Sequence, residues 1–310
     1  MWMVASCAIE NVDHQQAGQG GRPRKTTGGG ADMQKNFTTS DGAVLAYTDV
    51  GQGPALVMLP GWSQSAAMFR HQIEHFSATH RVVAVDFRGH GRSPDATRGF
   101  RIFRFAADIM ELMKHEKIET ATMLGWSMGA SVLWAMIEIF GTSFINKLIL
   151  VDEPATVMRQ AGMSEEDILN AGALFDAATM IAIAEQIKGA EGAAARGAFL
   201  DGMITKGIPE DLKAWLLQEN LRVNAVHIAD LFVDHCSIDW SDIFTRIDRP
   251  TLVIGGRVSH VNPRSQEWIH AQIKGSRLVI FEEADGGAHF SFIESPARFN
   301  EVLAGFLAEQ

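Results

Sequence analysis

The 310-residue sequence has little of several features that would define its class. It contains only two cysteines, Cys7 and Cys236, and no apolar run of about 18 or more residues. Two distant cysteines predict neither a disulfide framework nor a cysteine-built metal site, and the short apolar runs predict no membrane-spanning helix. Basic residues are also few, because 27 Lys and Arg face 37 Asp and Glu, for a net charge of -10. That balance argues against nucleic acid or an anionic membrane as a partner.

The N-terminal segment lacks the features of a targeting signal. Its first ten residues, MWMVASCAIE, contain no basic residue, and an acidic residue ends the short apolar run. A secretory signal begins with a basic segment, so we expect a cytoplasmic protein. Residues 11–32 are rich in Gly, Gln and polar side chains, which bury too little apolar surface to offset their ordering entropy. We therefore expect residues 1–34 to form a disordered extension.

Short apolar runs alternate with helical patterns along most of the remaining chain. The runs are uninterrupted, as in strands of a parallel sheet that are buried on both faces. The alternation predicts an α/β fold with a mostly parallel sheet covered by helices on both faces. Strands are predicted at 44–50, 55–60, 81–86, 121–125, 147–152, 251–256 and 277–283, and helices at 65–77, 102–115, 127–141, 263–273 and from Pro296.

Residues 155–236 interrupt this alternation. They are rich in Ala, Glu, Met and Gly and contain helical patterns without clear strands. Because the alternation resumes after them, we predict one α/β core built from residues 35–154 and 237–310. The segment 155–236 is predicted to be a helical cap inserted over one end of the sheet.

The segment GWSMG at 125–129 matches the pattern G-x-S-x-G. It follows an apolar strand and opens a helix, which is the context that this motif requires. The sharp turn exposes the serine, and the helix N-terminus directs free N–H groups towards developing negative charge. Ser127 is therefore the candidate nucleophile, and the alternative is that it only caps the helix.

A serine hydroxyl needs a base that removes its proton. Among eleven histidines, His289 lies in a Gly-rich loop, EEADGGAHF, between the last strand and the last helix. The ends of the other strands converge there, so His289 is the candidate base. His260, in the loop after the strand at 251–256, is the alternative.

Hydrolysis through a serine also needs two N–H donors for the oxyanion. One is the backbone N–H of Met128, directly after the nucleophile. The segment LPGWSQS at 59–65 follows an early strand, and Gly61 permits a tight turn that directs the N–H of Trp62 to the site. Trp62 and Trp126 are also expected to form apolar walls of the pocket, which favours an apolar or aromatic acyl group.

These segments together resemble the α/β-hydrolase superfamily, over roughly residues 37–310 apart from the insertion. The resemblance implies hydrolysis of a carboxylic ester or lactone without a cofactor or metal. It implies Ser127 as the nucleophile and His289 as the base. It also implies Trp62 and Met128 as the oxyanion donors. The resemblance depends on four segments that occur in the family's order: LPGW at 59–62, DFRGHGRS at 86–93, GWSMG at 125–129 and GGAHFSFIESPARFN at 286–300.

The acid of the expected triad departs from the commonest pattern of that family. Many members carry it after the strand corresponding to 251–256, but here the next residues, RVSHVN, contain no Asp or Glu. Other members carry it after the strand that follows the nucleophile helix, and here that strand is followed by Asp152 and Glu153. The resemblance thus implies Asp152 as the acid, with Glu153 as the second choice. The alternative for both is a helix cap or a surface charge.

The same residues also allow a second interpretation, a cofactor-independent dioxygenase. The acid position and the GW of LPGW also occur in cofactor-independent dioxygenases such as the 3-hydroxy-4-quinolone dioxygenases, which use a His–Asp pair. Here that pair would be His289 and Asp152. Those enzymes commonly carry histidines where this chain has Trp126 and Gln64.

The elbow GxSMG is also similar to that of non-haem haloperoxidase-like members of the superfamily. A non-catalytic receptor on the same fold is a third interpretation, although a receptor has no physical need for a serine, a histidine and an acid together. Under each interpretation we expect a small molecule in a pocket lined by Trp62, Gln64 and Trp126. The protein is expected to be a monomer or a homodimer.

Overall fold

An eight-stranded sheet organises residues 34–309, which are the residues that the computed structural model describes. Apart from Gln34, the predicted N-terminal extension lies outside them, as does Cys7. The strands, in chain order, are β1 (Gln34–Thr38), β2 (Val44–Val50), β3 (Ala55–Leu59), β4 (Arg81–Val85), β5 (Ala121–Trp126), β6 (Ile145–Val151), β7 (Thr251–Gly256) and β8 (Arg277–Phe281).

The sheet is mostly parallel and its strand order is β1-β2-β4-β3-β5-β6-β7-β8. Only the pairs β1–β2 and β2–β4 are antiparallel. The order changes direction at β3, which pairs with β4 on one side and β5 on the other. In such sheets ligands bind beyond the carboxyl ends of the strands at this point. Because Leu59 pairs with Gly125, the turn after β3 and the turn after β5 lie side by side.

Alternate residues of the central strands face two separate cores, as the pleat of a strand requires. In β3, Leu56 and Met58 belong to one core, while Val57 and Leu59 belong to the other. These side chains are at most 1% exposed. The uninterrupted apolar runs of the sequence therefore reflect burial on both faces of the sheet.

Helices within residues 34–309 cover both faces of the sheet, and none of them is long and apolar enough to cross a bilayer. Helix α3 is buried without interruption from Met128 to Ile137 because it packs between the sheet and α2. The helices are α1 (Arg70–Phe76), α2 (Ile102–His115), α3 (Met128–Phe140), α4 (Glu165–Ala171), α5 (Ala177–Lys188), α6 (Gly192–Asp201), α7 (Glu210–Leu221), α8 (Ala225–Cys236), α9 (Pro263–Gln272), α10 (Ser291–Glu294) and α11 (Pro296–Leu307).

The predicted fold class is confirmed, and the predicted strands agree with the observed ones within about two residues. Two local expectations need correction. Strand β1 was not expected, because its short, polar sequence QKNFT lies at the sheet edge and is half exposed. The single helix expected over 65–77 is divided into a 3₁₀ turn at Ala66–Phe69 and α1.

Five helices, α4 to α8, lie between β6 and β7 within the segment 155–236. Several hydrogen bonds join them to the turn after β3. The indole N–H of Trp62 donates to the carbonyl oxygen of Ile228 at 3.0 Å, and the Ser65 hydroxyl donates to Glu219 at 2.7 Å. The segment is therefore helical and in contact with the predicted site, while its boundaries as a separate cap stay a prediction.

Candidate active site

Ser127 occupies the sharp turn between β5 and α3, with a positive φ of 52°. A non-glycine residue adopts such a backbone only under constraint from its surroundings. The Ser127 N–H donates to the carbonyl oxygen of Val151 at 2.8 Å, which ties the turn to the end of β6. At Gly129 a Cβ would lie 2.2 Å from the carbonyl oxygen of Leu59, so only glycine lets α3 approach β3 this closely. The G-x-S-x-G segment thus forms the strained turn that its spacing predicts.

The turn after β3 passes directly against this elbow. A Cβ at Gly61 would lie 3.1 Å from the Cβ of Ser127, which is a tight contact that glycine avoids. Trp62 directly follows Gly61, so its backbone N–H lies close to Ser127, the candidate nucleophile. Met128 is the first residue of α3, so its N–H has no partner inside the helix. The backbone positions of both predicted oxyanion donors are thus adjacent to Ser127.

His289 and Asp152 meet although they are 137 residues apart. The Nδ1 atom of His289 lies 2.7 Å from Oδ2 of Asp152, and each side chain is only 2% exposed. A carboxylate on Nδ1 fixes the tautomer that leaves Nε2 free to accept a proton, and it stabilises the imidazolium that forms. Asp152 itself has a positive φ of 54°, which turns its side chain at the end of β6.

The loop after β7 contains no acid, but it supplies hydrogen-bond donors to Asp152. The Ser259 hydroxyl donates to Oδ2 of Asp152 at 2.5 Å, and the Gly256 N–H donates to Oδ1 at 3.2 Å. Together with His289, these donors hold both carboxylate oxygens in place. Sequence reasoning missed Ser259, because a hydroxyl in a polar loop has no distinctive pattern.

Trp126 positions His289 from the other side. Its indole N–H donates to the backbone carbonyl of His289 at 2.9 Å, and the two rings lie 5.2 Å apart between centroids. The side chain is buried between His289, Phe290 and Phe292. Trp126 therefore acts on the position of the histidine as well as lining the cavity.

Glu153, the second choice for the acid, makes no hydrogen bond to His289 among residues 34–309. Its Oε1 accepts the Ser131 hydroxyl at 2.7 Å and lies 3.3 Å from Nε2 of His235. Burial raises the pKa of Glu153 to about 8, opposed by the Ser131 hydroxyl and reinforced by the charge of Asp152. Burial also lowers the pKa of His235 to about 3. At neutral pH the contact therefore joins a protonated carboxyl group and a neutral imidazole, not two ions.

His260, the alternative base, lies against His289 with 4.4 Å between ring centroids. Burial lowers its pKa well below the ordinary value, and the neighbouring His289 lowers it further. Its Nδ1 has no hydrogen-bond partner in the described part of the chain, whereas Nδ1 of His289 is bonded to Asp152. The carboxylate that orients a base is therefore bonded to His289.

A cavity of about 590 Å³, counting its open mouth, lies between the sheet edge and the helices of 155–236. Its wall is largely aromatic and aliphatic, and no Lys or Arg among the described residues lines it. The residues predicted for the pocket, Trp62, Gln64 and Trp126, all line it, as do Ser127 and His289.

Trp62 contributes a wall of this cavity through its ring, which packs 5.8 Å from Phe199 and 5.4 Å from Phe232 between centroids. Gln64 is 2% exposed; its amide N–H donates to Leu216 at 3.4 Å, and its Oε1 has no partner among the described residues. Ser127 and His289 share the cavity, but no hydrogen bond joins them within residues 34–309. Such bonds are often formed only when substrate is bound.

Residues 34–309 contain no group of three or more His, Cys, Asp or Glu side chains arranged to hold a metal ion. Cys236, which lines the cavity, is a buried free thiol whose pKa is raised by burial and by the adjacent Glu153. The groups that could perform chemistry are therefore Ser127, His289 with Asp152, and the neutral pair of Glu153 and His235.

The family model described as the alpha/beta hydrolase fold matches residues 54–185. Among curated relatives, the AB hydrolase superfamily protein YisY of Bacillus subtilis is 25% identical over 281 residues, covering 88% of this chain and 99% of the relative. Both results agree with the elbow and the strand order described above. The chain therefore has the alpha/beta hydrolase fold, and its likeness to proteins of that superfamily indicates a hydrolase.

Solved structures extend the likeness over the whole described fold. An esterase from Exiguobacterium antarcticum has a TM-score of 0.81 and 25% identity, and covers 89% of this chain and 100% of its own. The enol-lactonase from Burkholderia xenovorans LB400 has a TM-score of 0.75 and 23% identity, covering 89% of this chain and 100% of its own. The second likeness concerns the fold alone.

Proposed function

We propose that this hydrolase cleaves a carboxylic ester or lactone through an acyl-enzyme on Ser127. The observation that carries the proposal is the hydrogen bond between His289 and Asp152 in a cavity that Ser127 also lines. The esterase and the enol-lactonase named above are proteins of the same fold, and their names agree with this class of substrate.

In the proposed mechanism, Nε2 of His289 accepts the proton of the Ser127 hydroxyl as its oxygen attacks the scissile carbonyl carbon. The oxyanion is held by the backbone N–H groups of Trp62 and Met128. The imidazolium, stabilised by Asp152, then donates its proton to the leaving alkoxide. A water molecule, deprotonated by His289, attacks the acyl-enzyme, and the acid product leaves as Ser127 regains its proton.

We propose an apolar or aromatic acyl part for the substrate. The wall of the cavity supports this, because Trp62, Phe199 and Phe232 pack together there and no Lys or Arg of residues 34–309 lines it. An anionic acyl group would lose its hydration without gaining a cationic partner. A panel of aryl esters tests this, and a preference for anionic, hydrophilic acyl groups would contradict it.

We also propose that the segment 155–236 acts as a cap that completes the cavity. Phe199, Asn220, Phe232 and His235 line the cavity from this segment. The N–H of His289 donates to the carbonyl oxygen of Met203 at 3.0 Å, so the segment also supports the loop that carries the base.

The test combines turnover of a short-chain chromogenic ester with labelling by a fluorophosphonate probe. Turnover and labelling that disappear in Ser127→Ala are expected. The matched control is Ser77→Ala, at the end of α1 outside the cavity, which should retain both. Oxygen uptake with a hydroxyquinolone that survives Ser127→Ala would instead support the dioxygenase chemistry of a His289–Asp152 pair. No turnover and no labelling of any kind would favour a receptor.

A further inference from the structure

The wall of the cavity carries an unusual pair of polar groups, Glu153 and His235, which we call the polar subsite. Both side chains are buried, and both line the cavity together with Ser127. Glu153 follows the acid Asp152 at the end of β6, while His235 lies at the end of α8. Neither is used in the proposed triad.

The polar subsite has unmet hydrogen-bonding capacity. Oε1 of Glu153 accepts the Ser131 hydroxyl and lies 3.3 Å from Nε2 of His235, and the Ser127 hydroxyl is a further polar neighbour of the carboxyl group. Nδ1 of His235 is buried without a partner in the described part of the chain. Buried polar atoms are nearly always paired, so the unpaired Nδ1 of a residue that lines the cavity leaves this residue able to bond a group that enters it.

The protonation states of Glu153 and His235 determine which chemical group the polar subsite can bind. At neutral pH Glu153 is protonated because burial raises its pKa to about 8, so the carboxyl group holds one O–H donor. Since Oε1 accepts the Ser131 hydroxyl, we assign the O–H of the protonated carboxyl group to Oε2. An O–H donor in a cavity without Lys or Arg suits an uncharged oxygen acceptor, whereas an anion would be desolvated at high cost.

The subsite lies close to the reacting atoms. Glu153 directly follows Asp152, and the Ser127 hydroxyl is near enough to lower the pKa of the Glu153 carboxyl. A group bound there belongs to the part of the substrate next to the scissile carbonyl. The other titratable groups around Glu153 are Asp152, Cys236, His289 and His260, in addition to its partner His235.

We infer that Glu153, supported by His235, binds an uncharged keto, ether or hydroxyl oxygen on the acyl part of the substrate, close to the scissile carbonyl. The inference rests on the proposed hydrolase function and narrows its substrate class. The substrate is then an ester or lactone with an otherwise apolar acyl part that carries one oxygen acceptor near the carbonyl.

The test uses an isosteric pair of esters, 4-nitrophenyl pentanoate and 4-nitrophenyl 3-methoxypropanoate, in which one CH₂ is replaced by oxygen. The measured quantity is the ratio of kcat/KM for the ether to that for the alkyl ester. Each value is divided by the spontaneous hydrolysis rate of that ester at the same pH. Effects of pH on the triad act on both esters and cancel in this ratio.

In the unchanged protein the ratio should exceed one near pH 7 and fall by about tenfold by pH 9, because an ionised Glu153 no longer donates and repels the ether oxygen. Glu153→Gln retains an N–H donor, so its ratio should stay high and independent of pH. Glu153→Leu should lose the preference at every pH. The matched control is Glu138→Gln on the exposed side of α3, which should behave as the unchanged protein does.

A ratio that is flat with pH in the unchanged protein, or unaffected by Glu153→Leu, would overturn the inference. A separate binding measurement keeps this outcome distinct from failure of the hydrolase function. Ser127→Ala protein is titrated by calorimetry with N-butyl-3-methoxypropanamide and with N-butylpentanamide. Preferential binding of the ether amide below pH 8 supports the subsite even if no ester is turned over, and equal binding of the two amides contradicts it.

Discussion

The ends of β6 and β7 lie side by side in the sheet, yet they contribute opposite chemistry to the cavity. β6 is followed by two buried carboxyl groups, Asp152 and Glu153. β7 ends in the N–H of Gly256 and leads to the Ser259 hydroxyl, and both donate to Asp152. Adjacent parallel strands end at the same sheet edge, so a carboxylate from either one can reach His289. The loop after β7 lacks the expected acid, but it holds the donors that orient Asp152, the acid at the end of β6.

The two carboxyl groups at the end of β6 have different surroundings. Asp152 accepts from His289, Ser259 and Gly256, which is an environment suited to a charged carboxylate. Glu153 accepts one hydroxyl and contacts a neutral imidazole, and burial raises its pKa to about 8. Neighbouring positions thus provide a charged acid for the proposed triad and a neutral donor for the cavity.

The largest expected effect comes from removing the charge at the end of β6. Asp152→Asn should lower kcat for a chromogenic ester by about 10³–10⁴-fold, because His289 loses its tautomer control and the stabilisation of its imidazolium. Steady-state kinetics measures this, with Glu153→Gln as the comparison at the adjacent position. A larger loss in Glu153→Gln than in Asp152→Asn would assign the acid to Glu153.

The second prediction moves the acid from one strand end to the other. Because the Ser259 oxygen lies 2.5 Å from Oδ2 of Asp152, the double variant Asp152→Asn with Ser259→Asp places a carboxylate near Nδ1 of His289. We expect it to recover roughly tenfold or more of the kcat lost in Asp152→Asn. No recovery, in a protein that unfolds at the same temperature as the single variant, would show that the two strand ends are not interchangeable.

The third prediction concerns stability and the buried Glu153. Its pKa of about 8 exceeds the ordinary value of 4.5, so the folded protein holds a proton that the unfolded chain releases between these values. The free energy of unfolding therefore falls as pH rises from about 4.5 to 8. Glu153→Gln has no ionisable group there, so its free energy of unfolding does not include this loss. The difference in free energy of unfolding, variant minus unchanged protein, should therefore be larger at pH 9 than at pH 6 by on the order of 2–3 kcal/mol. Urea unfolding at both pH values measures this, and a constant difference would contradict it.

The smallest effect is expected at the end of β7. Ser259→Ala removes one of three donors to Asp152 while the other two remain, so kcat should fall by about three- to tenfold, equivalent to roughly 1 kcal/mol. Ser276→Ala, directly before β8, is the matched control, because its hydroxyl donates to the carbonyl oxygen of His270 and it does not line the cavity. A loss as large as that of Asp152→Asn would mean that Ser259 itself takes part in proton transfer.

The sequence predicts the sheet well because its central strands are buried on both faces and appear as uninterrupted apolar runs. β1 could not be predicted, because its sequence, QKNFT, is short and polar and lies half exposed at the sheet edge. Ser127 and His289 are predictable since a strand-to-helix glycine pattern and a glycine-rich loop are local signals. Asp152, with Glu153 as the second choice, is implied only by the resemblance to family members that carry the acid after this strand.

The environment of Glu153 and the role of Ser259 could not be predicted from local sequence. The groups around Glu153 are Ser131 on α3 and His235 on α8, which are separated from it by 22 and 82 residues and meet it only in the folded protein. Whether a carboxyl group is charged or neutral depends on such distant neighbours. The role of Ser259 could not be predicted for the same reason, because it depends on a contact with Asp152 that forms only in the folded protein.

The most direct test of the account is the rate at which a fluorophosphonate labels Ser127, identified by peptide mapping, in the unchanged protein and in the two acid variants. The account predicts one adduct, on Ser127, that forms about 10³-fold more slowly in Asp152→Asn and at a similar rate in Glu153→Gln. An adduct on another residue, or labelling of Asp152→Asn at the unchanged rate, would contradict it.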